Sequence, residues 1–290
     1  MNRPFLSIVI ATYNAAETLE NCLESLAGQS YRDFEVAIQD GASTDGTADI
    51  ASRFIPDIPG MTITTEPDAG VYDAWNKAIP RLRGHWTLFL GSDDRLASSD
   101  VLERCAAKLA ELPAQVWYAC GDVRHVYGNG STELYPSCAE GALERMSQQI
   151  PFCHSSLWHR TSLFSEHLFN PMFRIAADYD FICRTWPHDG VGYTLGITVT
   201  HMGVGGLSTH PKSRLRTLWE IARIAHSHGY PVYTKRRIIP LLKAVLLWAV
   251  CVCAGKHGPA LLDRLRELRG LPPCWTTSTT HPMRPGICPK

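Results

Sequence analysis

Four apolar runs in the first hundred residues constrain the fold most: LSIVI (6–10), FEVAI (34–38), MTITT (61–65) and HWTLFL (85–90). Continuous runs of this length, rich in Val and Ile, read as strands buried on both faces of a sheet. Each is followed by a stretch of helical periodicity or a turn. After the first, Leu19, Cys22, Leu23 and Leu26 recur at i, i+3, i+4 and i+7, with Asn14 as a candidate N-cap, Glu17 three residues on, and Gly28 as the stop. After the second, GASTDGT (41–47) is a turn feeding a helix through Phe54. After the third, Val71, Trp75, Ala78 and Ile79 share one helical face. Strands alternating with helices in this way predict an α/β fold, a mainly parallel, Rossmann-like, doubly wound sheet with helices on both faces.

Acids cluster at the ends of these strands. Asp40 follows the second, Asp68 the third, and the adjacent pair Asp93 and Asp94 the fourth. In an open parallel sheet the carboxyl ends lie along one edge, so acids far apart in sequence converge where such sheets bind ligands. Two neighbouring carboxylates are a hard oxygen site for Mg²⁺ or Mn²⁺, and such a site commonly also holds a phosphate. The same acids, taken singly, also read as turn residues or helix caps.

The 28 basic and 28 acidic residues cancel, which leaves no global field to attract nucleic acid. With 45% hydrophobic positions and a mean hydropathy of -0.10 the composition is that of a soluble protein. The ten cysteines show no CxxC or zinc spacing, and no apolar leader precedes the first strand, so free thiols in a cytoplasmic setting are expected. Beyond Leu96, residues Val101, Leu102, Cys105 and Leu109 mark a helix and VWYAC (116–120) a strand. DVRHVY and STELYP flank Gly128 to Gly130 as a hairpin. Near the C-terminus LLKAVLLWAVCVCAG (241–255) is apolar almost all round. At fifteen residues it is shorter than the ~20 of a bilayer span, and it has Lys235, Arg236, Arg237 and Lys256 at its flanks. Either a core helix or a helix lying in the membrane interface fits; peripheral attachment is favoured. The Pro- and Thr-rich stretch 272–290 is expected to be a disordered tail.

SIVIATYNAAETLENCLESLAGQS, DGASTDGT, EPDAGVYDAWNKAI, FLGSDD, PFCHSSLWHRTSLF and FRIAADYDFICR, in that order over about two-thirds of the chain, resemble the motifs of the family 2 glycosyltransferases, in the branch that builds bacterial surface polysaccharides. The resemblance implies a GT-A fold, a nucleotide-diphosphate-sugar donor, a divalent metal (Mn²⁺ or Mg²⁺), a glycan or lipid-linked sugar acceptor, and inversion at the anomeric carbon. It implies a catalytic domain over 1–210, with 1–98 for the donor and 99–210 for the acceptor, and a helical region over 211–271. Thr12 and Asp40 match positions that hold the nucleoside. Asp45 lies in the same turn and also reads as a helix cap. Asp68, Tyr72, Asp73, Asn76 and Lys77 match the segment beside the donor's ribose and sugar, although Lys77 also reads as a solvated helix face. Asp94 matches the metal-binding acid with Asp93 alongside. Gly91 stands where many members carry a further acid, which leaves open which of the pair touches the metal.

Asp178 matches the family's catalytic base, which takes the proton of the acceptor hydroxyl. Asp180, two residues on, points to another side of the helix and reads as structural. His154 is either a buried core histidine or a neighbour of the acceptor. His201 and His210 read as surface or structural histidines, or as further metal or phosphate contacts. VGYTLGITVTHMGVGGLS (191–208) resembles the closing strand and a glycine loop over the donor. Three function classes compete: a transferase making one linkage, a processive synthase, and an inactive sugar-nucleotide-binding scaffold. The first is favoured, because no QxxRW motif is present and Asp94 and Asp178 are both retained.

Overall fold

The computed structural model describes residues 3–186, 192–205 and 210–276. The first half alternates as expected: β1 (Leu6–Thr12), α1 (Leu19–Ala27), β2 (Phe34–Asp40), α2 (Thr47–Arg53), β3 (Thr62–Thr65), α3 (Val71–Ala78) and β4 (Trp86–Gly91). These four strands are parallel, in the spatial order β3-β2-β1-β4. Alternate side chains of the central strands enter different cores. Ile8, Ile10, Leu88 and Leu90 pack with Leu19, Leu23 and Leu26 of α1 on one face. Val9 and Phe89 pack with Tyr72 and Trp75 of α3 on the other. This is why each strand had to be apolar throughout.

The second half is mixed. It comprises β5 (Arg95–Leu96), α4 (Val101–Ala110), β6 (Tyr118–Val126), β7 (Thr132–Tyr135), α5 (Ala142–Met146), β8 (Leu157–Arg160), α6 (Ala177–Thr185) and β9 (Gly192–Gly203). β8 runs antiparallel to β4 and β6, β6 runs parallel to β9, and β7 forms the hairpin with β6. Three helices end the chain: α7 (Pro211–Ser227), α8 (Lys235–Ala254) and α9 (Gly258–Glu267).

Several local expectations are corrected. Asn14 does not cap the first helix. It sits at φ 50°, and α1 begins only after Thr18, because the amides of residues 14–16 bond side chains of the next loop rather than a capping group. VWYAC and DVRHVY are not separate strands but one, β6. Gly121 lets it pass β9 closely: a Cβ there would lie 2.3 Å from Val199 Cγ2, and the register shifts across it, between Cys120 and Asp122, and again between Asp122 and Val123. The run around His154 is half a 3₁₀ turn (His154–Ser156) and half strand. The apolar segment near the C-terminus belongs to a helix of 20 residues, about 30 Å, long and apolar enough to cross a membrane.

Residues 272–276, expected within a disordered tail, fold back on Asp263, whose carboxylate accepts the amides of Cys274, Trp275 and Thr276 at 2.7–3.2 Å. Residues 277–290 and the glycine loop at 206–208 lie outside the described residues.

Candidate active site

Strand register assembles the edge at which the nucleoside is expected. Thr12 pairs with Asp40 across β1 and β2, Asp40 with Thr65 across β2 and β3, and Ala11 with Gly91 across β1 and β4. Thr12 Oγ1 donates to Asp40 Oδ1 at 2.8 Å, and the Ser43 amide donates to Oδ2 at 2.9 Å. Asp40 is thus buried and largely occupied, with one lone pair on Oδ2 left for a ligand.

The loops after β1 and β2 are latched together. Asn14 N–H donates to Ser43 Oγ (2.8 Å), Ala15 N–H to Thr47 Oγ1 (2.7 Å) and Ala16 N–H to Asp45 Oδ2 (3.0 Å), while Thr44 N–H donates to Asn14 Oδ1 (3.0 Å). Asp45 also accepts the Thr47 amide. Burial pushes its pKa up, but these hydrogen bonds outweigh that and hold it below the usual value. Asp45 is therefore a clamp between the two loops as well as a helix-entry residue.

The donor-side segment after β3 is drawn toward the second half of the chain. Asp68 Oδ1 accepts the Gly70 amide at 2.7 Å, and Asp73 accepts the Ala69 amide at 2.9 Å. Lys77 Nζ donates to the Pro67 carbonyl and pairs with Asp73 at 3.6 Å. Asn76 is committed to the backbone: its amide donates to the Phe169 carbonyl at 2.8 Å and accepts the Phe169 amide at 2.9 Å. Tyr72 is buried, its hydroxyl 2.7 Å from the Ile175 carbonyl and 3.1 Å from Asp178 Oδ1. Together with Arg174, which donates to the Ala69 carbonyl, these contacts stitch α3 to the segment that delivers Asp178. Tyr72 and Asn76, expected beside the sugar, are thus spent on holding that segment.

The acid pair sits where β4 turns into β5. Asp94 is 5% exposed, its amide bonds the Gly91 carbonyl at 3.1 Å, and its Oδ1 is buried without a hydrogen-bond partner among the described residues. Burial and then the charge of Asp93 push its pKa well up, against the pull of the Ser155 hydroxyl and the Gly91 amide. A Cβ at Gly91 would lie 2.8 Å from Asp94 Oδ2 and 2.9 Å from Asp93 Oδ1, so the glycine leaves a cradle between the two carboxylates. An orphaned buried oxygen beside a second carboxylate and a bare backbone step suit a hard divalent cation.

Asp178 lies at the head of α6, half-buried, with Oδ1 held by Tyr72 and by the Tyr179 amide at 2.8 Å. Burial is the largest influence and lifts its pKa to about 6; the charge of Glu220 adds to the lift, and the Tyr179 and Tyr72 hydrogen bonds oppose it. Asp180 points elsewhere, to Arg184 Nε at 2.8 Å and His228 Nε2 at 3.7 Å, as a structural acid would.

Asp94 and Asp178 both act on the Cys153 thiol, whose pKa is raised to about 11 chiefly by burial and also by these two charges. Ser155 thus neighbours Asp94, and Cys153 feels the charge of both acids; sequence reasoning missed both residues. Their signal was position alone, one residue on either side of His154. His154 itself turns away. It stacks on Trp75 (ring centroids 5.0 Å apart, 12° between planes), and neither ring nitrogen has a partner among the described residues. Burial and the neighbouring His159 keep it neutral. Its ring nitrogens are buried, as the core reading expects, although the residue as a whole is half-buried. His201 lies on β9 opposite Arg95, its pKa lowered by burial and by Arg95 and Arg124, so it sits among cations rather than carboxylates. His210 precedes α7 and accepts the Ser213 amide on its carbonyl.

Residues 7–168, more than half of the chain, match glycosyl transferase family 2. A PGL/p-HBAD biosynthesis glycosyltransferase of Mycobacterium bovis is 35% identical over 217 residues, covering 72% of this chain and 80% of that protein. Two solved structures share the fold. S. aureus TarS in complex with UDP-GlcNAc has a TM-score of 0.60 at 17% identity, covering 91% of this chain and 77% of that one. A mannosyltransferase from Pyrobaculum calidifontis in complex with GDP-Man and Mn²⁺ also has a TM-score of 0.60, at 19% identity, covering 92% and 81%.

The raised pKa of Asp94 yields a stability test. A carboxyl whose folded value lies above its unfolded value favours the fold when protonated, and stability is lost as pH rises through the folded value. Asp94→Asn removes that cost, so near pH 7 in EDTA the variant should melt above the wild type and should lose the rise in melting temperature that Mn²⁺ gives the wild type. A variant that melts lower in EDTA, or still responds to Mn²⁺, would contradict the assignment.

Proposed function

Because the chain belongs to glycosyl transferase family 2, we propose that it moves one sugar from a nucleotide-diphosphate-sugar to an acceptor hydroxyl, with inversion, in making a bacterial surface glycan or glycolipid. Asp93 and Asp94 hold Mg²⁺ or Mn²⁺ in this reading, and Asp178 is the base. Its main support is Asp94, whose buried Oδ1 has no hydrogen-bond partner among the described residues and which lies with Asp93 beside the bare Gly91 step, at the end of a parallel strand. The nucleotide sugars bound by TarS and the Pyrobaculum mannosyltransferase, and the Mn²⁺ of the latter, support the same class of donor and cofactor.

The roles follow from the contacts. Thr12 and Asp40 orient the nucleoside, and the latched loops keep their edge of the sheet rigid. A divalent ion at the acid pair supplies charge stabilisation for the leaving diphosphate. Asp178 receives the acceptor proton on Oδ2, since Oδ1 already accepts from Tyr72 and Tyr179. A pKa of about 6 leaves it ionised at neutral pH yet more basic than an ordinary carboxylate.

α8 supports peripheral attachment to the cytoplasmic face of the membrane. It buries only Arg237, Ala244 and Cys251, a single stripe at seven-residue spacing. Its large apolar residues face outward, with Leu242 65%, Leu246 66% and Val252 58% exposed, and Lys235, Arg236, Lys243 and Lys256 are exposed around them. A water-facing helix has the opposite pattern. By length α8 is also fit to span, but Lys243 interrupts its apolar run. α9 packs back on α8, with Gly258 against Cys251, and carries Arg264, Arg266 and the buried Asp263 cage. Those charges favour the interface over the hydrocarbon interior.

Two outcomes are expected. Asp178→Asn should lower turnover by roughly 10²–10⁴-fold with donor affinity nearly unchanged, and in the wild type kcat/KM for acceptor should fall below about pH 6. Normal turnover by Asp178→Asn would remove Asp178 as the base. The protein should float with anionic vesicles at low salt, whereas a Leu242→Glu, Leu246→Glu double variant should stay behind while keeping activity on a water-soluble acceptor. Flotation unaffected by the double variant would contradict the membrane reading.

A further inference from the structure

We infer that Glu220, on α7, is a positioning residue for the base: it holds the backbone that leads into α6 and adds to the negative charge that Asp178 faces. The inference rests on Asp178 being the base. Glu220 is fully buried. Its Oε1 accepts the Arg174 amide at 3.0 Å, and its Oε2 accepts the amides of Ile175 at 2.9 Å and Ala176 at 3.1 Å. These three amides precede Ala177, the first residue of α6, so Glu220 fixes the backbone that enters the helix rather than the donors of its first turn. Ala176, at the N-cap, has no side-chain acceptor of its own, and its amide is held from α7.

The segment is gripped from both sides. Ile175 gives its amide to Glu220 and its carbonyl to Tyr72, and the same Tyr72 hydroxyl reaches Asp178 three residues on. Loss of Glu220 would therefore free the segment that aims Asp178 at the acceptor.

A neutral acceptor could have held these amides without the cost of burying a charge. What a carboxylate adds is a negative charge close enough to influence both Asp178 and Tyr72. Its balance is partial: Arg216 Nε lies 3.2 Å from Oε1, one turn earlier on α7. The other titratable groups around Asp178 are Tyr72 from α3, Cys153 from the turn before β8, and Cys183 on α6 itself. Arg174 directs its guanidinium to the Ala69 carbonyl, and Asp180 is taken up by Arg184 and His228. Glu220 and Arg216 are thus the charged pair through which α7 bears on the base.

The test is the pH dependence of kcat/KM for acceptor in the full-length wild type, Glu220→Gln and Arg216→Met, with thermal melting as a check on folding. Removing the Glu220 charge makes Asp178 easier to ionise, so the acidic limb should move down by about 0.5–1 pH unit. Removing Arg216 leaves Glu220 less balanced, so the limb should move up. Shifts in opposite directions support the inference, and a merely structural contact would not produce them. If Glu220→Gln does not fold, the upward shift in Arg216→Met carries the test. A limb near pH 6 in the wild type that stays fixed in every folded variant, whatever happens to kcat, overturns the inference alone. A wild type with no acidic limb overturns the role of Asp178, and the inference with it.

Discussion

The parallel pairing of β1 with β2 on one side and β4 on the other sets Thr12 against Asp40 and Ala11 against Gly91. One row of backbone hydrogen bonds thereby places Asp40, proposed for the nucleoside, and the acid pair proposed for the metal at neighbouring points on one edge. A slip of one residue in β1 would exchange the side chains of Ile8 and Ile10 with that of Val9 between two different cores, so hydrophobic packing locks the register. The chemistry is positioned by apolar residues that never touch a ligand. Buried Glu35 adds a polar lock at the opposite edge, accepting from Ser7 and from the Arg83 side chain.

The second half contributes Asp178, the proposed base, and α3 ties its segment to the first half. Asn76 pairs with the backbone of Phe169, Tyr72 with Ile175 and Asp178, and the carbonyl of Ala69 with Arg174. Each contact joins residues about a hundred positions apart, so the base is tied to the same helix that follows the donor-side loop. α7 completes the clamp through Glu220. The candidate site is consequently a seam between the two halves of the chain.

Much of this was legible in sequence. The continuous apolar strands and the acids at their ends specified a parallel sheet with a functional carboxyl edge, because strand period and strand burial are written locally. The placing of Asp178 at the start of a helix, with Asp180 turned aside, followed from helical geometry. What could not be read were long-range hydrogen bonds between side chain and backbone. Tyr72 and Asn76 look the same in sequence whether they meet a sugar or the chain at 169–175. Glu220 sits in a helix with ordinary surface spacing, and only the fold shows it fully buried against three amides. The fusion of two expected strands into β6 depended on Gly121 meeting Val199, a partner nearly eighty residues away. In α8 the apolar residues were evident, but only tertiary contact reveals that small and polar residues form its buried stripe.

The central claim is that the acid pair and Asp178 face one cleft from opposite sides, with a metal-bound diphosphate at the former and the acceptor at the latter. A crystal structure of the protein soaked with Mn²⁺ and a nucleoside diphosphate, with anomalous scattering to locate the ion, tests it most directly. The account predicts a Mn²⁺ peak within coordination distance of Asp93 or Asp94, the diphosphate on that ion, the nucleoside against Asp40, and Asp178 Oδ2 open to the same cleft. A diphosphate bound with no Mn²⁺ at either acid, or lying on a face of the sheet away from Asp178, would contradict it.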